Sequence, residues 1–279
     1  MRTPPTDRFQ PVLVAHGTRS PHGVNTVARL AESVQEHIGP TRVAFVDVLG
    51  PSPSELLREI DRPALLIPAF LASGYHVRAD IPHHVEASGH PHVTVCDNLG
   101  PDPVLAEVMH DRLRDCGWRP GDSVVLAAAG SSDRWALADV ETAAANLGAV
   151  IGDEVAVGYV ATARPRVTDV VRALRRRGPR VFVASYLLAP GLFHTRLGQC
   201  GANGVAAPLG ADPRVAELIV ARVHAARSAA LPRLGPALAR ALYLLRPLDE
   251  AGLREAITEP ARRAGVTFES EALVEALEL

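Results

Sequence analysis

The stretch VLVAHGTRSPHG, residues 12–23, decides how the chain is read. Four apolar residues run into His16-Gly17, and Ser20-Pro21 then opens a segment apolar at Val24, Val27, Ala28, Leu30, Ala31 and Val34. The run is a buried strand and the segment a helix, because the second set repeats at the helical period. Serine before proline is a good helix start: the hydroxyl caps, and proline loses no needed donor in the first turn. A strand that delivers a histidine to its own tip, just where the chain turns, points to a site there. In doubly wound sheets ligands bind outside the carboxyl ends of the strands.

The same alternation continues outward. PVLVAH (11–16), RVAFVDV (42–48), ALLIPAF (64–70) and HVTVC (92–96) read as strands. Helical patterns fall near 23–38, 53–60, 81–88 and 102–115. Strand–helix alternation implies a parallel sheet covered on both faces. The pattern then restarts: SVVLAAAG (123–130), EVAVGYV (154–160) and RVFVASYL (180–187) mirror the first three strands. LGPDP at 99–103 returns as LGADP at 209–213, an offset of 110 residues. Lining up the first strands (His16 with Ala129) gives an offset of 113 and the third (Gly74 with Gly191) 117, and offsets this similar mark one duplicated unit with small insertions. The expected fold is α/β, with two tandem similar domains, each a mainly parallel four-stranded sheet flanked by helices. The expected divisions are 1–118, carrying the site; 119–230, a degenerate copy; and 231–279, a charged, helix-prone extension outside both copies. Residues 229–279 resemble a helical stretch found next to regulatory NTPase modules.

Composition narrows the function. The formal net charge is −2, so no whole-chain positive field recruits nucleic acid or an anionic membrane. All 29 basic residues are arginine, and an anionic substrate would be held by local arginines. Cys96, Cys116 and Cys200 are odd in number and form no CxxC pair, which disfavours a disulfide framework, a zinc ribbon or a cluster. They fit reduced thiols in the cytoplasm. The N-terminus lacks an apolar signal core, and the longest apolar stretch is too short to span a bilayer. No GxGxxG turn or P-loop follows any strand, which disfavours a nucleotide site.

The third strand supplies a second histidine. IPAFLASGYHVRADIPHH (67–84) runs into a glycine-containing loop carrying His76, with Asp80 placed to cap the next helix. His16 and His76 would then face one cavity from adjacent strand tips. Imidazole is a ligand suited to Fe²⁺, Co²⁺, Ni²⁺ or Zn²⁺ and a base near neutral pH. In the second copy Ala129 stands opposite His16, whereas a glycine loop with His194 remains. One working site, in the first copy, is expected. Ser131, Ser132 and Asp133 read as helix-capping residues, since no GxSxG elbow is present. Trp118 and Trp135 read as packing residues, and His22, His83 and His84 as surface residues.

LVAHGTRSPHG and IPAFLASGYHVRADIP together resemble the two signatures of the sirohydrochlorin chelatases, the class II chelatases of sirohaem and cobalamin synthesis. The resemblance covers roughly 11–228. In that family short members are single repeats that dimerise, and long ones are fused pseudo-dimers. It implies a lyase-type enzyme that inserts Fe²⁺ or Co²⁺ into a carboxylated tetrapyrrole, with His16 and His76 handling metal and pyrrole protons. An acidic residue ending the second strand commonly faces the cleft in that family, and Asp47 occupies that place. Arg19, Ser20 and Arg78 are the candidates for binding the substrate carboxylates. The divalent metal is then a substrate, and no prosthetic group is expected. The partner is the tetrapyrrole, with no nucleic acid or membrane; the chain is a monomeric pseudo-dimer or a weak homodimer. Two other readings remain. The same histidines could serve a non-catalytic metal or tetrapyrrole carrier. Histidine phosphatases also place His-Gly after the first strand, but with an arginine before the histidine, where this chain has Ala15.

Overall fold

Strand β1 (Gln10–Ala15) is buried along its whole length and pairs in parallel with β2 (Arg42–Phe45) on one side and β3 (Ala64–Pro68) on the other. The short β4 (Val93–Val95) follows β3, giving the order β2-β1-β3-β4. The computed structural model describes residues 9–178 and 180–230. A second sheet repeats the arrangement with β5 (Ser123–Ala128), β6 (Val155–Tyr159), β7 (Val181–Tyr186) and β8 (Gly204–Val205), in the order β6-β5-β7-β8. The duplicated α/β architecture expected from the sequence is the one observed.

The helices in chain order are α1 (Pro21–Ile38), α2 (Pro53–Arg58), α3 (Ile81–Ser88), α4 (Pro103–Asp115), α5 (Arg134–Ile151), α6 (Val167–Arg175), α7 (Leu192–Leu197) and α8 (Pro213–Ala230). Period-two alternation sends successive strand residues to opposite faces. Val12, Val14 and Leu66 pack against Leu56 and Leu57 of α2 and Ile81 of α3. Val125, Val181 and Val183 pack under α6 and α7, against Val167, Val171 and Leu197. The inward faces, with Leu13, Ile67, Leu126 and Phe182, share one central cluster with α1, α4, α5 and α8. The two copies therefore form five layers, helices outside and between the sheets.

Their join carries the mark of a two-fold axis. Arg112 on α4 pairs with Asp212 of the second copy at 3.2 Å, and Arg222 on α8 pairs with Asp102 of the first at 2.9 Å. Asp102 and Asp212 occupy the matching LGPDP and LGADP turns, and the two arginines lie the same number of residues beyond them. Reciprocal contacts of this kind define an isologous interface, here within one chain. Asp212 also holds Arg214. Burial works against its charge, but the Arg214 and Arg112 guanidiniums outweigh this and lower its pKa. Arg222→Ala strips the partner from Asp102 and from the Asn98 and Leu99 carbonyls. It is expected to cost about 1–3 kcal/mol, read as a lower denaturant midpoint. Arg42→Ala, which breaks an exposed pair with Glu59 at 2.5 Å, is expected to cost under about 1 kcal/mol.

The chain divides at Ser228, and the expected helical extension, 231–279, lies outside the described residues. Among the described residues no helix is long and apolar enough to cross a membrane.

Candidate active site

A sheet of order β2-β1-β3-β4 has its switch point between β1 and β3, because the chain leaves β1 for one side and returns on the other. A crevice opens at the carboxyl ends of those two strands. His16 is the first residue past β1, and His76 follows β3 after a short loop. Their ring centroids lie 4.6 Å apart, edge to face at 80°. The expected meeting of the two imidazoles is thus present in the geometry. His16 is exposed, with Nδ1 3.3 Å from the Gly17 carbonyl. His76 is half-buried and stacks on Phe70, centroids 5.8 Å apart at 21°, with Tyr75 edge-on.

The backbone behind His16 leaves no latitude. Gly17 has φ +96°, and a side-chain carbon there would overlap the Asp47 carbonyl oxygen. Asp47 N–H in turn donates to the His16 carbonyl at 3.0 Å. Gly130 repeats the device in the second copy with φ +98° against the Ala161 carbonyl. The fold of this turn was kept in both halves. The histidine was not: Ala129 stands where His16 stands in the first copy, and Ala161 where Asp47 stands. His194 has its Nε2 3.2 Å from the Ala206 carbonyl and so serves the interior of its own half.

The other expected site residues fall less simply. Strand β2 ends at Phe45, so Asp47 lies two residues beyond it, not at its tip. The Asp47 carboxylate accepts from the Val48 N–H at 2.7 Å and is exposed; only its backbone abuts His16. Ser20 caps α1, accepting from the Gly23 N–H at 3.4 Å, so its hydroxyl is engaged in the fold. Arg19 is exposed in the loop after His16. Arg78 is exposed and lies over the Trp135 ring, 5.4 Å from its centroid, with Arg134 at 4.8 Å.

Two expectations are corrected. Trp118 is buried, as packing requires, but Trp135 is 49% exposed at the start of α5. The reason is its position beside Asp133, whose carboxylate caps α5 by accepting from the Trp135 N–H at 2.8 Å. That cap fixes the turn and aims the indole at Arg78 of the first copy. Asp80 makes no capping bond. His76–Asp80 is instead a π-helical turn running straight into α3, and the Asp80 carboxylate bonds the His76 Nδ1 at 2.5 Å. The i,i+4 spacing in HVRAD was a usable signal for that contact. It is lost when Gly74 is taken to make the whole stretch a loop.

The second copy braces the loop between β3 and His76. The Tyr186 hydroxyl donates to the Leu71 carbonyl at 2.7 Å, and the Ser73 N–H to Asp139 at 2.7 Å. A side-chain carbon on Gly74 would stand 3.5 Å from Ala136, and one on Gly191 3.3 Å from the Thr18 hydroxyl. Val48, Leu49, Tyr75, Trp135 and Leu192 are large apolar residues left exposed, and each follows the carboxyl end of a strand. Of these, Tyr75 lies edge-on to His76 and Trp135 against Arg78, so apolar surface adjoins the histidine pair; Val95 and Val150 are exposed elsewhere.

Among the described residues no group of three or more His, Cys, Asp or Glu side chains is placed to hold a metal ion. The cysteines do not supplement the pair: burial pushes the Cys96 thiol up to about 12, and burial raises Cys116 and Cys200 as well. A thiol this weakly acidic is a poor metal ligand at neutral pH. What remains is an open, two-imidazole site suited to passing a divalent ion on rather than caging it.

The duplicated parallel fold, with His16 and His76 together at the switch point of one half, is the architecture of the class II chelatases. The chain belongs to the CbiX family, whose model matches it twice, over residues 10–116 and 123–226. Among its relatives is the sirohydrochlorin cobaltochelatase of Methanothermobacter thermautotrophicus, 31% identical over 127 residues, covering 37% of this chain and 89% of that protein. A second, from Methanopyrus kandleri and of the same name, is 27% identical over 135 residues, 37% of this chain and 94% of that protein. In fold the chain is similar to SirB from Bacillus subtilis with Fe³⁺, at a TM-score of 0.66 and 21% identity, over 78% of this chain and 94% of that one. A second model, novel STAND NTPase 1, matches residues 202–278. The chain contains no lysine, and so no phosphate-loop lysine for a nucleotide.

Proposed function

We propose that the protein is a sirohydrochlorin chelatase that inserts a divalent ion, Fe²⁺ or Co²⁺, into the carboxylated tetrapyrrole in sirohaem or cobalamin synthesis. The observation that carries this reading is the His16–His76 pair, with ring centroids 4.6 Å apart at the switch point of the first sheet. Insertion exchanges two pyrrole N–H protons for one M²⁺, and the two protons leave to a base and then to water. A neutral imidazole can ligate the ion or accept a proton, but not both through one nitrogen at once. Two rings in contact can hold the ion together, and each ring freed as the ion passes to the macrocycle can accept a proton. Both metals suit borderline nitrogen donors, so the site chemistry accommodates either. Asp47 acts through its backbone, by bracing the His16 turn.

The rim supplies the substrate contacts. The macrocycle's flat face lies against exposed apolar groups, while its carboxylates pair with Arg19 and Arg78, beside the start of α1. Trp135, in contact with both Arg78 and Arg134, extends that wall from the second copy. The first copy, to about residue 118, performs the reaction, and residues 119–230 brace it. With its reciprocal interface internal, the chain acts as a monomer. Its three free cysteines fit a reducing cytoplasm.

The test is an absorbance assay with purified protein, sirohydrochlorin and each metal in turn. Accelerated formation of the metallated chromophore supports the reading. Stoichiometric binding with no turnover marks a carrier instead. Within that assay Arg78→Glu is expected to raise KM about ten-fold or more with kcat within roughly two-fold, since a lost charge-assisted bond costs about 1.5–3 kcal/mol. An unchanged KM removes Arg78 from the substrate contacts.

A further inference from the structure

We infer that Asp80 is a positioning residue for the histidine pair: it locks His76 in the Nδ1–H tautomer, so that both rings offer Nε2 as their free lone pair. The inference deepens the chelatase reading and rests on it for its meaning, though not for its test.

The hydrogen-bond chemistry fixes the proton positions. The Asp80 carboxylate lies 2.5 Å from the His76 Nδ1, and an ionised carboxylate can only accept. His76 Nδ1 must then carry the hydrogen, and Nε2 the lone pair. The partner of His16 Nδ1 is the Gly17 carbonyl at 3.3 Å, which also only accepts. Both rings therefore keep the same nitrogen free. The holds differ in strength. Asp80 makes a short bond to a charged acceptor, whereas His16 has a long one to a neutral carbonyl. Phe70 beneath His76 and His16 beside it limit rotation of the ring, so the carboxylate sets orientation as well as tautomer.

Local structure explains why Asp80 is free for this task. Serving as a helix cap would spend its oxygens on backbone N–H groups, but the π-turn makes that unnecessary. The Ile81 N–H already donates to the His76 carbonyl across the turn. The extra residue in the turn leaves α3 without a separate start, and the side chain is released towards His76. Single π-turns recur at functional sites for this kind of reason. Carboxylate–imidazole pairs orient ligating or proton-accepting histidines in many metal sites, and their loss typically lowers affinity or activity about 10–100-fold.

The experiment uses the full chain, ¹⁵N-labelled and metal-free, at about pH 8.5, where an ordinary imidazole is neutral. Long-range ¹H–¹⁵N spectra read the tautomer, and Co²⁺ titration reads affinity. In the unmodified protein His76 is expected to show a protonated Nδ1 and an unprotonated Nε2. Asp80→Ala is expected to move His76 towards Nε2–H and to weaken Co²⁺ binding about 10–100-fold. Its unfolding midpoint should be nearly unchanged, because no cap is lost. Asp80→Asn keeps an accepting oxygen and is expected to retain the tautomer, with affinity within a few-fold. It also guards against a folding defect in the alanine variant. A predominantly Nε2–H His76 in the unmodified protein overturns the inference, as does an Asp80→Ala variant with unchanged tautomer and affinity. Sirohydrochlorin turnover is scored separately. An inactive protein with an Asp80-dependent tautomer refutes the chelatase reading alone. An active Asp80→Ala variant with the tautomer intact refutes this inference alone.

Discussion

His16→Ala and His76→Ala should each lower kcat/KM for metal insertion by roughly 10²–10⁴-fold, the range expected when a positioned acid–base group is removed. Neither change should unfold the protein. His16 is exposed, and the His76 side chain retains 34% of its accessible surface, so little packing is lost. His194→Ala supplies the contrast. That ring bonds the Ala206 carbonyl within the second copy, so its loss should cost about 1 kcal/mol of stability and leave the rate unchanged. Steady-state kinetics beside thermal unfolding separates the two kinds of histidine. A folded His16→Ala or His76→Ala variant with normal kcat/KM would falsify the shared-site account.

Gly17→Ala should be the most damaging single methyl group in the first copy. The position has φ +96°, which alone costs an L-residue about 1–2 kcal/mol. The new carbon would also overlap the Asp47 carbonyl, and that carbonyl belongs to backbone that cannot swing away like a side chain. The expected total is about 2–4 kcal/mol, at the upper end of ordinary substitutions. At about 2–4 °C per kcal/mol for a chain of this size, the midpoint should fall by roughly 5–15 °C. Activity measured well below the midpoint should fall too, because the adjoining His16 must shift. Gly50→Ala, in the loop between β2 and α2, meets no atom within 4 Å and should change little. Equal midpoints for the two variants would show that the His16 turn is softer than its geometry indicates.

The parts of the structure legible in the sequence are those set by burial and period. Parallel strands covered on both faces must be near-continuous apolar runs, so β1, β3, β5 and β7 stand out, and their recurrence exposes the duplication. His16 was legible for a related reason: it is the first polar residue after such a run. Features that depend on direction within a turn were not. Asp47 follows an apolar run as well, but β2 stops at Phe45 and the carboxylate turns to the Val48 N–H. Asp80 and Trp135 were assigned roles by residue type, capping and packing, whereas their neighbours in space decide what they do. The Arg112–Asp212 and Arg222–Asp102 exchange was half visible, through the matching LGPDP and LGADP turns. Its arginines were hidden among many others on helical surfaces.

The central claim is a single two-histidine metal site per chain, confined to the first copy. Co²⁺ titration of the full-length protein, followed by the cobalt absorption bands, tests it most directly. The account expects one Co²⁺ per chain, lost in His16→Ala and in His76→Ala and kept in His194→Ala. Two ions per chain, or one ion that survives removal of either His16 or His76, would contradict it.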